Sequence, residues 1–102
     1  MSAFNDMAKQ DLDIFFNLFA DLHDINGKQL NVIVDNDRLI YRSKKEFDGI
    51  SVGEILYYVK ASDFGKMPEV GSSQIFDRRQ MYVFDAREDA GVYEIILHQN
   101  RS

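Results

Sequence analysis

The sequence predicts an α+β domain, mainly β: a small antiparallel barrel or sandwich of about six strands with one N-terminal α-helix. Three observations predict it. Apolar residues recur at helical spacing through the first part of the chain. The period changes to two after Asn26-Gly27. Short β-branched and aromatic runs then alternate with polar turn signals. At 102 residues the chain is long enough for one domain with a modest core.

The helix is expected at about 7–23. Leu12, Phe15, Phe16, Phe19 and Leu22 follow the three-and-four rule, and Asn26-Gly27 reads as a stop and turn. At about 100° per residue these five side chains form one stripe. Ile14 and Leu18 lie beside it and widen the apolar arc to roughly 240°, where a surface helix needs little more than about 100°. Asp13, Asn17 and Asp21 hold the narrow polar side. Two expectations follow. In the first, the helix is sandwiched in the core, between a sheet and a loop. Alternatively the Phe15, Phe16 and Phe19 side faces the domain's own sheet while the Ile14 and Leu18 flank meets another chain, as a large exposed apolar patch usually does.

The strands follow from period-two patterning. Residues 28–35 and 38–43 are expected to form a hairpin about Asn36-Asp37. Residues 44–53 are polar, carry two glycines and read as a loop. A strand is expected at 55–62 and a second loop at 63–73. Residues 74–76 and 80–86 flank a turn at 77–79. A turn at 87–91 leads to the last strand, 92–99.

Charge and composition exclude several function classes. The net charge is −5, and the first 27 residues hold five aspartates against one lysine. Such a surface is not built to grip phosphate backbones, so sequence-specific nucleic-acid binding is not expected. Nor is an anionic membrane surface. The N-terminus lacks the basic and apolar regions of a signal peptide. No apolar run approaches the roughly 18 residues of a membrane span. Without cysteine there is no disulfide, thiol nucleophile or thiolate metal site.

Motifs for chemistry are sparse. His23 and His98 each stand alone, His23 read as a helix C-terminal residue facing the dipole and His98 as the end of the last strand. Asp35-Asn36-Asp37 opens like a calcium loop but lacks the later glycine and glutamate, and reads as an Asx-rich turn. Asp85, Glu88 and Asp89 cluster at a solvated turn, which does not split carboxylate pKa values. Asp63-Phe64-Gly65 matches a kinase signature by chance, because the chain is far too short for that domain. Ser72-Ser73 has no base nearby in sequence. Arginines and lysines alternate with acids, and the tyrosines sit in strand patterns. No enzyme, metal or cofactor is expected.

The layout resembles a known family. A helix ending in "ADLHDING" opens the chain, a later strand ends in "VKASDFGKMPEVG", and the last strands read "QIFDRRQMYVFDAREDAGVYEIIL". Gly71 to Ile75, Asp77, Tyr82 to Phe84 and Tyr93 to Leu97 fill the places of a pattern seen in head–tail joining proteins of long-tailed bacteriophages. These are also called head-completion, stopper or tail-attachment proteins. The likeness covers residues 25–102 best. It implies a small β-barrel or sandwich with a helix, no catalysis and no cofactor. It implies a ring of copies beneath the portal of the filled head, in contact with portal or connector and tail proteins. The place would be the virion connector, with the host cytoplasm during assembly. In some relatives a loop reaches toward the channel or a neighbour. The matching segment here, 44–53, is short, and Lys44, Lys45, Phe47 and Asp48 are its candidate contacts, beside Ile14 and Leu18. The alternative is a small bacterial protein-interaction or regulatory module. A nucleic-acid-binding barrel and a small enzyme rank behind both.

Overall fold

The computed structural model describes residues 11–46 and 53–99. In chain order they form α1 (Leu12–Phe19), β1 (Asp21–Ile25), β2 (Lys28–Val34), α2 (Asn36–Glu46), β3 (Ile55–Lys60), the single turn α3 (Ala61–Phe64), β4 (Ser73–Phe76), β5 (Arg79–Asp89) and β6 (Val92–His98). The strands are antiparallel and close into a barrel in the order β1-β2-β3-β6-β5-β4. The expected α+β, mainly β class is therefore correct, and the β part is a barrel rather than a sandwich.

Three two-residue hairpins shape the barrel. Asn26-Gly27, Asp77-Arg78 and Ala90-Gly91 each place both central residues at positive φ. They join the flanking pairs Ile25↔Lys28, Phe76↔Arg79 and Asp89↔Val92. Such mirror-image turns match the right-handed strand twist, so they close hairpins without splaying the strands. Arg78 tolerates this backbone less readily than Asn, Asp or Gly would.

β1 and β4 close the cylinder with one register pair, Ile25↔Phe76. The two turns beside it complete the seam reciprocally. Ile75 N–H donates to Asn26 Oδ1 (2.8 Å), and Asp24 N–H donates to Asp77 Oδ1 (2.9 Å). Backbone bonds from Asn26 N to Ile75 O and from Asp77 N to Asp24 O, each 2.8 Å, flank them. Two side-chain oxygens thus do the work of strand carbonyls where the ladder is too short. His23 Nδ1 lies 2.6 Å from Asp77 Oδ2, and its ring stacks on Phe76. Partial burial opposes ionisation of Asp77, but the His23 contact and the Asp24 N–H outweigh it and hold its pKa below the usual carboxylate range.

Alternation along the strands builds two apolar clusters. Ile25, Leu30, Val32, Tyr57, Val59, Phe76, Met81, Val83, Tyr93, Ile95 and Leu97 fill the barrel. The opposite faces of β2, β3 and β6 carry Ile33, Leu56, Tyr58, Val92 and Ile96, which pack with Phe15 and Phe16 of α1 and Leu39 of α2. β3 and β6 are therefore buried on both faces, which explains their nearly continuous apolar sequence. A bulge between Val83 and Asp85 lets β5 keep Val83 inward and turn Phe84 and Asp85 outward.

Inside the barrel, Tyr57 Oη donates to Gln74 Oε1 at 2.5 Å, both residues being buried. Burial pushes the Tyr57 phenol well above its ordinary pKa, and the Gln74 contact only partly opposes this. Tyr57→Phe is expected to leave Gln74 without its donor and cost about 1–3 kcal/mol in urea unfolding. The added variant Gln74→Leu should recover part of that loss.

Several expectations are corrected. The helix ends at Phe19 rather than 23, and its expected first residues lie outside the described chain. Ala20 is already extended, and 21–25 form β1. Asn26-Gly27 is a hairpin turn, which demands a strand on each side, and not a helix stop. His23 consequently sits in a strand at the seam. Residues 38–43 are helical, not a strand. Asp35 Oδ1 accepts from Arg38 N–H at 3.0 Å, which caps the helix. Asp37 lies in its first turn and Lys44 and Lys45 in its last, as the helix dipole favours. The run Arg38 to Ser43 fits either period. The capping acid and the inward set Leu39, Arg42 and Ser43 decide for the helix. The expected turn at 87–91 shrinks to Ala90-Gly91 because β5 runs to Asp89. Residues 61–64 form the turn α3 instead of ending a strand and opening a loop.

Candidate interaction surface

α1 begins at Asp11, whose carboxylate accepts from Asp13 N–H (2.9 Å) and Ile14 N–H (3.3 Å). Phe15 and Phe16 point at the barrel wall and are buried. Lys60 Nζ reaches Asp13 Oδ1 at 2.8 Å and lies 5.9 Å from the Phe16 ring centre, so β3 also clasps the helix through charge. Asp13, with the cost of burying Lys60 working against it, raises the Lys60 pKa.

The other side of α1 is uncovered. Ile14 is 57% exposed, Leu18 67% and Phe19 58%, and Leu22 on β1 adds a fourth apolar side chain at 63%. Ile14 and Leu18 thus do not belong to the core, as the second expectation held. Phe19 departs from it: the helix ends there, and its ring turns outward, 4.8 Å from that of Phe15.

A second face lies on α2. Leu39, Arg42 and Ser43 turn inward, which leaves Ile40 and Tyr41 more than half exposed. Lys44 and Lys45 flank them on the last turn and make no ion pair with any described residue. Arg38 lies 5.4 Å from the Tyr41 ring centre. The two lysines therefore belong to a helix rather than to the expected loop. Phe47 and Asp48 lie outside the described residues. Lys44 and Lys45 stand on α2, and Ile14 and Leu18 on α1.

What fixes α2 is a charged cluster that the sequence pattern does not reveal. Arg42 is 1% exposed. Its Nη1 donates to Glu94 Oε2 on β6 (2.8 Å), its Nε to Glu46 Oε2 (2.9 Å) and its Nη2 to Asp85 Oδ2 at the β5 bulge (2.5 Å). Arg38 Nε donates to Glu94 Oε1 at 3.3 Å. Arg87 pairs with both Asp85 and Glu46. Three arginines and three carboxylates are interlocked, so the cluster is balanced in charge. The signal for it was Glu94, an acid in the middle of an otherwise apolar strand.

The Arg42 guanidinium, helped by Arg87, holds Glu46 down to about 2. Because the folded value is depressed, this contribution to stability is fully present above the ordinary carboxylate value of 4.5 and fades as pH falls toward 2. Glu46 is 32% exposed, so solvent screens part of the effect. Glu46→Gln is expected to flatten the stability–pH curve between those limits, as measured by urea midpoints at stepped pH.

Two open clefts, of about 250 and 350 Å³, lie at the hairpin ends. The first is lined by Leu22, Asp24, Gln29, Asp77 and Arg78, and its two acids are already engaged in the barrel seam and turn. The second is bordered by Lys28, Ser62 and Asp63, with no nucleophile–base pair in hydrogen-bond contact. Among the described residues no group of three or more His, Cys, Asp or Glu is placed to hold a metal. No described helix is long and apolar enough to cross a membrane. The two helix faces are the more distinctive surface.

No family model matches the chain, and no curated protein does. Among solved structures, the chain is similar to one titled the ATP-binding sugar transporter-like protein from Salmonella typhimurium. The TM-score is 0.54 at 16% identity, over 95% of this chain and 92% of that one. At that identity the likeness is one of fold.

Proposed function

We propose that the protein is a non-enzymatic structural component of a long-tailed phage particle, joining the DNA-filled head to the tail as a ring below the portal. The observation that carries this reading is the exposed apolar face of α1 on a barrel whose strand order closes on itself. A strand order that closes on itself leaves little edge for a partner strand, which makes the faces the larger surface for association. Large apolar side chains left exposed on such a small domain, Ile14, Leu18 and Phe19 on one helix, suit an interface between subunits or with a connector protein. The resemblance of residues 25–102 to head–tail joining proteins supplies the specific role. The net charge of −5 suits a ring through which DNA passes without being gripped.

The sequence carries no phosphate-binding loop of the G-x-x-x-x-G-K-[ST] kind that the description of the similar structure would suggest. Gly27-Lys28 and Gly65-Lys66 have Leu22 and Lys60 where a phosphate-binding loop needs its first glycine. They continue with Gln29 and Met67 where it needs Ser or Thr.

Deletion of the gene from its phage or prophage tests the proposal. Electron microscopy is expected to find filled, tailless heads beside complete free tails. Normal tailed particles would refute the joining role and favour a regulatory module with one cellular partner.

A further inference from the structure

We infer that the barrel opens and closes at the β1–β4 seam, and that the side chains of Asn26 and Asp77 are its latch. Among the described residues every other pair of neighbouring strands shares three to seven register pairs, whereas β1 and β4 share one, Ile25↔Phe76. Four described backbone amides donate across this seam, two from each side. Asn26 N–H and Asp77 N–H donate to backbone carbonyls. Asp24 N–H and Ile75 N–H donate instead to the side-chain oxygens of Asp77 and Asn26. Half of the hydrogen-bonded closure therefore rests on two side chains at hairpin tips. The Asp77 carboxylate adds the His23 contact through its other oxygen. His23 and Asp77 are 23% and 45% exposed, so water reaches the latch and competes for its bonds.

Strand order makes this joint separable. Parting β1 from β4 leaves the other five ladders whole, and the closed order β1-β2-β3-β6-β5-β4 becomes an open sheet with β1 and β4 at its edges. Parting any other pair breaks a longer ladder, so the seam is the lowest-energy place to open. Across the interior, Tyr57 on β3 holds Gln74 on β4 by a hydrogen bond. β4 thus stays anchored to the body, and β1 is the strand that leaves. Burial of Ile25 and Phe76, 3% and 4% exposed, favours the closed form. The opening is a property of the barrel alone and does not depend on the joining role. Asn26 and Asp77 both sit at positive φ, each first in its two-residue turn. Glycine at either place keeps the turn and removes only the latch oxygen.

Native-state hydrogen exchange of the full-length chain, followed amide by amide by NMR, tests the device. In the parent protein the amides of Asp24, Asn26, Ile75 and Asp77 are expected to share one opening equilibrium. After correction for intrinsic rates they should exchange on the order of a hundredfold faster than the amides of the β3–β6 ladder. Their exchange should also depend only weakly on urea, because the opening exposes little surface. Asn26→Gly removes the acceptor of the Ile75 N–H alone. It is nevertheless expected to speed exchange of the Asp24 and Asp77 amides about tenfold, although their own acceptors are intact, because the seam parts as one unit. Asp77→Gly should do the same to the Asn26 and Ile75 amides. Seam amides that exchange only as slowly as the β3–β6 ladder, with its urea dependence, would show that the barrel opens only by global unfolding and would overturn the inference. So would four unrelated rates, or an Asn26→Gly effect confined to Ile75. The parent measurement decides by itself if either glycine variant fails to fold.

Discussion

Arg42→Met is expected to destabilise the domain by about 3–5 kcal/mol, because it leaves the buried Glu94 carboxylate short of its closest cation. Glu94 sits on β6 between Tyr93 and Ile95, which face the barrel interior, and is itself 5% exposed. Arg38 remains, at 3.3 Å through one nitrogen, and cannot replace the closer Arg42 contact. Asp85 and Glu46 lose their shared donor at the same time. Urea unfolding measures the loss. Arg42→Lys should recover little of it, since one ammonium cannot span three carboxylates on α2, β5 and β6. The double variant Arg42→Met with Glu94→Gln should be less destabilised than Arg42→Met alone. That result would assign the penalty to the orphaned charge rather than to lost packing. The cluster is thus a device of geometry more than of net stability. It seats α2 at one rotation on the barrel, which an apolar contact alone would not specify.

The second large effect separates the two sides of α1. Phe16→Ala removes a buried ring from the cluster with Ile33, Leu56 and Ile96, and is expected to cost about 3–5 kcal/mol. Ile14→Asp combined with Leu18→Asp should stay within about 0.5 kcal/mol of the parent, because both side chains are more than half exposed. Under the proposed joining role the order reverses in particles: the double aspartate variant is expected to fold normally and fail to complement joining. Thermal unfolding of the isolated protein and plaque complementation measure the two halves. Unfolding of the isolated domain by the double variant, with assembly intact, would return that flank to the core.

The strands after residue 54 were legible because the residues filling them serve one purpose. Tyr57, Val59, Ile95 and Leu97 are apolar on account of barrel filling, and the turns between the strands carry glycine or aspartate. The over-wide apolar arc of α1 was legible too, and Ile14 and Leu18 were correctly set apart from Phe15 and Phe16. Two segments were misread for physical reasons. Residues 21–25 continue the helical spacing of α1, yet Ala20 breaks it and Asn26-Gly27 requires a strand arm there. Residues 38–43 centre on the apolar, β-favouring run Leu39-Ile40-Tyr41, but the polar residues beside it are not all solvent-facing: Arg42 and Ser43 are buried. Period-two reading assigns charged residues to water, and a buried arginine defeats it. Glu94, Asp85 and Glu46 come from three separate elements, so no local window contains the cluster. The same holds for the pairing of His23 with Asp77 across the seam.

Strand order also bears on how the chain can be made. β3 bonds to β2 on one side and to β6 on the other, although β4 and β5 come between them in sequence. As a nascent chain emerges from a ribosome, the amides and carbonyls on the free side of β3 have no partner until β6 has left the exit tunnel. β5 waits for the same strand. No shorter version of the polypeptide stopping before Val92 could satisfy either row, so completion is a single late event. Until then Leu56, Tyr58 and their neighbours form a sticky apolar ribbon, the kind of segment that holdase chaperones shield during vectorial synthesis.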